Sequence, residues 1–218
     1  FLDGKQVEAA GGSATLSLDG HYASKPDVAI VVYGEQPYAE FQGDLANLAY
    51  HPGDDHDLDL LRRLHKAGVP VVSVFLSGRP LWVNPQINAS DAFVAAWLPG
   101  SEGEGVADVL LRAEGGPIAH DFHGKLAYSW PRTAVQTPLN VGQKNYHPQF
   151  AYGYGLRYAD HVELGQLPED PGIKLSSARA GVYVVRGKPA AGMELRLTGA
   201  SGTSANVAAT PAATADGS

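Results

Sequence analysis

The sequence contains no cysteine, no long apolar run and no cluster of basic residues. The absence of cysteine excludes disulfide bonds and thiolate metal ligands, and it fits either a reducing or an oxidising compartment. No apolar run approaches the roughly 20 residues that a membrane-spanning helix needs, so we expect no membrane partner. Lysine and arginine number 16 against 23 acidic residues, giving a net charge of −7. Without a basic patch to neutralise phosphates, we expect no nucleic-acid partner either.

Several kinds of active site are also missing or poorly supported. No Gly-x-Ser-x-Gly elbow is present, so a serine-esterase mechanism is unsupported. The glycine-rich stretch 100–105 precedes a predicted helix as a phosphate cradle would, but its two glutamates oppose an anion, so we expect no nucleotide. The histidines and aspartates at 51–57 could hold a metal ion. Acids are favoured at a helix start, with Asp55 or Asp57 as a natural N-cap, so we expect no metal there.

What the chain does contain is an alternation of strand and helix patterns that starts at residue 27. The β-branched run at 28–33 has no polar alternation, which predicts a strand buried on both faces, as in a parallel sheet covered by helices. Leucines at 58, 60, 61 and 64 form one apolar stripe in a helix predicted over 57–67 and closed by Gly68. A second buried strand at 69–76 completes a right-handed βαβ unit.

The pattern then repeats, with an apolar run at 92–98, a helix at 106–112 and a candidate late strand at 126–130. Apolar residues make up 44% of the 218-residue chain, enough for one domain and an appendage. We predict an α/β fold, a three-layer sandwich with a mostly parallel sheet. We predict a lead-in of loop or hairpin over residues 1–26 and the α/β domain over 27–160. A linker over 161–178 and the start of an all-β accessory module with a disordered tail over 179–218 should follow.

The loop after the first strand concentrates polar chemistry. Residues 34–44, GEQPYAEFQGD, hold three carboxylates, a tyrosine and two glutamines within eleven positions. Open α/β sheets bind ligands at the carboxyl ends of their strands, and this loop follows such an end. An acidic loop after a strand is usually a solvated surface, so the composition alone favours a solvated loop over a catalytic site.

The loop resembles one in family 3 of the glycoside hydrolases, whose exo-acting β-glucosidases carry G-E-x-P-Y-x-E-x-x-G-D in their second domain. Further motifs resemble the same domain in the same order, over residues 27–158: LSGRP at 76–80, AAWLPGSEG at 95–103, YSWPR at 128–132, PLNVG at 138–142 and YGYGL at 152–156. The resemblance implies that Glu40 is the catalytic acid/base. It also implies a β-glucoside or β-glucan substrate, no cofactor, and a periplasmic or secreted location.

In that family the nucleophile is an aspartate in a Ser-Asp-Trp motif on a separate (β/α)8 barrel that precedes the second domain. No Ser-Asp-Trp occurs here. We therefore interpret the chain as a fragment that carries half of an active site, with the barrel of the same full-length protein as its partner. The chain starts with Phe1 rather than Met, so the missing signal-peptide pattern says nothing about export.

Four other residues are candidates for substrate binding or loop support. Glu35 and Asp44 could hydrogen-bond loop backbone, and Tyr38 could pack beneath the loop. Arg79 follows the second buried strand and could pair with one of the acids across the carboxyl edge of the sheet. The main alternative function is a non-catalytic carbohydrate-binding or docking module of a glycosidase. A nucleotide-binding α/β domain is a third possibility, for which we expect no nucleotide to bind.

Overall fold

The computed structural model describes residues 4–41, 43–112 and 115–175, together with 184–185, 188–189, 196–198 and 204–206. The chain divides into two compact units, Phe1–Ser177 and Ala178–Ser218. Within the described residues, no helix has the length and apolar character needed to cross a membrane.

The first unit is built on a parallel sheet with strand order β1-β2-β3. Helices lie between and after the strands, so the predicted α/β class with a parallel sheet is confirmed. Along the chain the elements are α1 Gly4–Ala9, β1 Ala29–Gly34, α2 His56–Lys66, β2 Val71–Leu76, α3 Asn84–Asn88, β3 Ala92–Trp97 and α4 Glu104–Leu110.

The central strand β2 is the most deeply buried strand of this sheet. Val71, Ser73, Val74 and Phe75 are all at most 1% exposed. Because consecutive residues of a strand point to opposite faces, this run shows that β2 is covered on both faces. The prediction of a doubly buried strand therefore holds for the second apolar run.

For the first run the same prediction is wrong. In β1, Val31 and Tyr33 are buried, whereas Val32 is 38% exposed and Val28, just before the strand, is 45% exposed. β1 is an edge strand that pairs with β2 alone among the described residues, and one of its faces is left open. β-branched residues on both faces of a strand reflect strand propensity as well as burial, so this pattern does not distinguish the two cases.

Helix α2 forms where the leucine stripe predicts it. Leu58, Leu61 and Leu64 are buried against the sheet core. Gly68 follows the helix with a φ of +69°, a backbone conformation that glycine adopts without steric cost, and its N–H donates to the carbonyl of His65. Asp55 occupies the N-cap position but makes no side-chain cap bond.

Other elements differ from the prediction. The helix expected over 106–112 begins earlier and ends earlier, at Glu104–Leu110. The segment 126–130 is not a regular strand. It is an irregular ladder in which Leu126 exchanges hydrogen bonds with 153–154 and Trp130 pairs with Phe150. The lead-in, expected to be loop or hairpin, contains the short helix α1.

Residues 166–172, inside the segment predicted as a linker, are part of the first unit and are hydrogen-bonded to helix α3. The Asn88 amide receives the Leu167 N–H and donates to the Leu167 carbonyl, both at 2.9 Å. Asn84 donates to the Pro168 carbonyl at 2.8 Å. We call this attached segment the strap.

The second unit contains two antiparallel pairs, Val184–Val185 with Lys188–Pro189 and Arg196–Thr198 with Ser204–Asn206. The strand Ser204–Asn206 falls within residues 198–218, the tail that the Ala-, Thr-, Ser- and Gly-rich composition predicts to be disordered. The rest of that tail and of the predicted accessory module lies outside the described residues.

Candidate functional site

The loop 35–44, here called the acidic loop, leaves the carboxyl end of β1 beside the loop that leaves β2. Gly34 and Leu76 are paired in the parallel register, and the Glu35 N–H donates to the Leu76 carbonyl at 2.9 Å. A Cβ atom at Gly34 would lie 2.0 Å from that carbonyl oxygen. Glycine is therefore required at position 34, the last residue before the acidic loop, because any side chain there would push the two strands apart.

Arg79 and Glu35 form an ion pair at this edge. The guanidinium places both Nε and Nη2 at 2.9 Å from Glu35 Oε1. The other carboxylate oxygen, Oε2, accepts the Gly78 N–H at 3.2 Å. The Glu35 side chain is 11% exposed and that of Arg79 22%. Both Glu35 oxygens are thus engaged within the protein.

The same guanidinium contacts two more positions of the acidic loop. Its Nη1 donates to the Gly43 carbonyl, and its Cζ lies 4.3 Å from the centre of the Tyr38 ring. A Cβ at Gly43 would come within 2.6 Å of Tyr38 Cδ2, and one at Gly78 within 2.6 Å of the Tyr38 hydroxyl oxygen. The tyrosine therefore sits against two glycines that leave room for its ring.

Glu40 lies between the held positions 38 and 43, in an exposed turn. Its neighbour Phe41 has a φ of +67° and is 79% exposed. Within the described residues, the Glu40 carboxylate has no hydrogen bond or ion pair. Asp44 is also exposed, and in the same part of the chain its carboxylate has no partner, although its N–H donates to the Phe41 carbonyl at 3.3 Å.

Tyr50 is part of the site's support and was missed by sequence reasoning. Its hydroxyl oxygen lies 3.0 Å from the Gly34 carbonyl oxygen and 2.7 Å from Asp57 Oδ2, so it links the start of the acidic loop to the first turn of α2. Burial, followed by the hydrogen bond to Asp57, raises the pKa of Tyr50. No motif marks this tyrosine, and only the fold brings position 50 to position 34.

The structure also describes the two other segments considered in the sequence, residues 51–57 and 100–105. In the 51–57 cluster, the His51 ring stacks on Tyr50 at 4.1 Å and Asp57 is engaged by Tyr50. No group of three or more metal-ligating side chains occurs in the described part of the chain. In the stretch 100–105, Glu104 begins α4, so an acid occupies the position that a phosphate would need.

A cavity of about 360 Å³ opens beside Arg79, between residues 127–131 and 136–141. Tyr128 and Tyr152 line it, and each is 62% exposed. Arg79 is thus shared between the acidic loop and this cavity.

Residues 5–158 match the family model described as the glycosyl hydrolase family 3 C-terminal domain. The chain is 35% identical over 170 residues to a lysosomal β-glucosidase of Dictyostelium discoideum, covering 72% of this chain and 19% of that protein. It is 30% identical over 162 residues to a periplasmic β-glucosidase of Salmonella typhimurium, covering 71% of this chain and 20% of that protein.

Among solved structures, an exo-1,3/1,4-β-glucanase from a Pseudoalteromonas species superposes with a TM-score of 0.76 at 50% identity. That match covers 93% of this chain and 24% of the other. The chain thus spans about a fifth to a quarter of the length of these relatives.

Proposed function

The chain belongs to the glycosyl hydrolase family 3 C-terminal domain family, and from that premise we propose that it is the acid/base-bearing second domain of a retaining, exo-acting β-glucosidase. The substrate is a β-glucoside or β-glucan, whose O-glycosyl bond is hydrolysed. A (β/α)8 barrel domain of the same full-length protein supplies the aspartate nucleophile. We propose a periplasmic or secreted location, in keeping with the periplasmic and lysosomal relatives.

The observation that supports this proposal is that the carboxylates of the acidic loop differ in their contacts. Both oxygens of Glu35 are bound by Arg79 and Gly78. Glu40 is exposed, and none of the described residues bonds its carboxylate. A proton donor that must reach a sugar held by another domain needs such an unengaged position. The resemblance of the loop to the family motif supports choosing Glu40 rather than Asp44 for this role.

The chemistry assigned to Glu40 has two steps. A retaining glycosidase uses two carboxyl groups about 5–5.5 Å apart, one to attack the anomeric carbon and one to protonate the departing oxygen. Glu40 donates that proton as the bond breaks. It then takes a proton from the water that hydrolyses the glycosyl-enzyme intermediate. No cofactor enters either step.

Glu40→Ala in the complete enzyme tests the assignment. We expect cleavage of natural glucans to fall by roughly 10²- to 10⁴-fold, the usual contribution of general acid/base catalysis. Glycosides with an acidic phenol as leaving group need little protonation, so they should still form the intermediate. That intermediate should accumulate, and azide, which needs no deprotonation, should release it as a β-glycosyl azide.

Asp44→Ala is the matched control, since it removes the other exposed carboxylate of the acidic loop. It should show neither a dependence on the leaving group nor a response to azide. If Glu40→Ala slows good and poor leaving groups equally and azide has no effect, Glu40 is a binding residue, and the chain acts as a carbohydrate-binding or docking module instead.

A further inference from the structure

We propose that Arg79 is a positioning residue that holds the acidic loop and thereby determines where Glu40 lies. The proposal rests on the function proposed above for Glu40. It concerns a side chain on a different loop, 39 positions further along the sequence. We call the arrangement of Arg79 with Glu35, Tyr38 and Gly43 the clamp.

The clamp holds the acidic loop at its start, middle and end through one planar group. Nε and Nη2 bind Glu35, Nη1 binds the Gly43 carbonyl, and Arg79 Cζ lies over the Tyr38 ring. Glu40 lies between the second and third of these points. Arginine suits this task because its guanidinium offers several N–H donors in a fixed plane and also a face that packs on an aromatic ring. A lysine ammonium at this position would replace these contacts with a single point charge.

The support of the clamp is itself firmly held. Arg79 follows β2, whose residues 73–75 are buried, and its carbonyl accepts the Ser77 hydroxyl at 2.6 Å. Pro80 comes next and restricts the backbone. The acidic loop, exposed over most of its described length, is thus tied to one of the most buried parts of the domain.

The clamp also defines the role of Glu35. Its side chain is 11% exposed, so its carboxylate depends on Arg79 and the Gly78 N–H for compensation. Removing Arg79 would leave this charge unpaired and partly desolvated, and the start of the acidic loop would rearrange to bring it to water. Glu35 is therefore the attachment point of the loop, and its engaged oxygens are unavailable for proton transfer to a substrate.

Catalysis is sensitive to such an arrangement because proton transfer requires hydrogen-bond distance. Misplacing a catalytic group by about 1 Å can cost on the order of 10²-fold in rate. A loosened clamp should therefore affect the reactions that need a proton from Glu40 and spare those that do not.

The test uses Arg79→Lys in the complete enzyme, with one glucoside that has a poor leaving group and one that has an acidic phenol. We expect kcat/KM for the poor leaving group to fall by about 10- to 100-fold and that for the phenol glucoside to change by less than about 3-fold. Combining Arg79→Lys with Glu40→Ala should slow the poor leaving group no more than Glu40→Ala alone, because the clamp acts through Glu40.

Arg62→Lys is the control. Arg62 also forms an ion pair, with Glu169 at 3.3 Å, but on the surface of α2. It should leave the ratio of the two kcat/KM values unchanged. If Arg79→Lys fails to fold, Glu35→Gln replaces it, because it weakens the same ion pair from the carboxylate side. We expect it to lower kcat/KM by about 3- to 10-fold for the glucoside with the poor leaving group only.

The outcomes separate this proposal from the one it rests on. If Glu40→Ala shows the leaving-group dependence but Arg79→Lys and Glu35→Gln slow both substrates equally, the clamp is refuted and the role of Glu40 stands. The clamp is equally refuted if the loss from Arg79→Lys multiplies that from Glu40→Ala. If Glu40→Ala itself shows no such dependence, the proposed function fails first.

Discussion

Two tyrosine hydroxyls lie inside the aromatic cluster next to the start of the acidic loop. Tyr33 contacts the Ser73 hydroxyl at 3.2 Å, and Tyr50 contacts Gly34 and Asp57. Their rings lie 6.0 Å apart, and both approach Phe75. Burial is the main cause that raises the pKa of each hydroxyl.

These pKa shifts predict a loss of stability in alkaline solution. A phenol whose pKa is higher in the folded than in the unfolded state stabilises the fold fully below the unfolded pKa of about 10, and this contribution is lost as the pH rises toward the folded pKa. We therefore expect the free energy of unfolding to fall above about pH 10. Denaturant unfolding across pH 7 to 11, with tyrosinate absorbance as a second signal, measures it.

Tyr50→Phe separates this effect from other causes of instability in alkaline solution. At pH 7 the variant should lose about 1.5–3 kcal/mol, the usual value of a hydrogen bond to a charged group, and its alkaline decline should be shallower than that of the parent. Tyr128→Phe, at a tyrosine that is 62% exposed, should change neither quantity. An equally steep alkaline decline in Tyr50→Phe would contradict the assignment.

Single residues also show where sequence reasoning stops. The apolar runs indicate that Arg79 and the loop acids lie at the same carboxyl edge, because both follow parallel strands. Which acid meets Arg79 depends on the register that pairs Gly34 with Leu76, and no local pattern encodes that register. The contacts of Tyr38, Gly43 and Tyr50 follow from the same register, so they too become visible only in the structure.

Among the elements, α2 was the most predictable, because its leucines recur with the spacing of a helix. Elements whose structure depends on residues far away in the sequence were less predictable. The ladder at 126–130 forms against residues 149–154, and β1 keeps one face partly exposed, with Val32 38% exposed. Hydrophobic periodicity indicates which side chains of a segment can be buried. It does not indicate which other segment of the chain packs against them.

The buried stripe of α2 makes a prediction for that element. Leu61 is 0% exposed, so Leu61→Ala should lower the free energy of unfolding by about 2–5 kcal/mol through lost burial and an unfilled cavity. Leu60→Ala, at a partly buried position of the same helix, should cost clearly less. Urea denaturation of both variants checks this, and equal losses would contradict the deeper burial of Leu61 in the core.

For the whole molecule, the central expectation is that this chain alone hydrolyses no glucoside. In the function proposed above, the nucleophilic carboxyl of the pair belongs to the barrel domain, and the Ser-Asp-Trp motif that would carry it does not occur in this sequence. An aryl β-glucoside assay of the isolated chain should show no more turnover than a Glu40→Gln control. Adding a separately purified barrel domain should restore activity if the two parts associate. Turnover by the chain alone above that control would refute the division of the active site.

The attachment of the strap depends in part on one hydrogen-bond donor, the Nδ2 atom of Asn88. The Asn88 side-chain amide pairs with the backbone of Leu167 as a peptide group of a neighbouring strand would. The Nδ2 that donates to the Leu167 carbonyl also donates to Glu169 Oε1 at 2.9 Å. Asparagine and aspartate have nearly the same shape. Replacing that nitrogen by a carboxylate oxygen would turn both attractive contacts into repulsions without moving any atom. The strap is also held by Asn84 and by the buried side chain of Leu167, so we expect hydrolysis of the Asn88 amide to weaken its attachment rather than to abolish it.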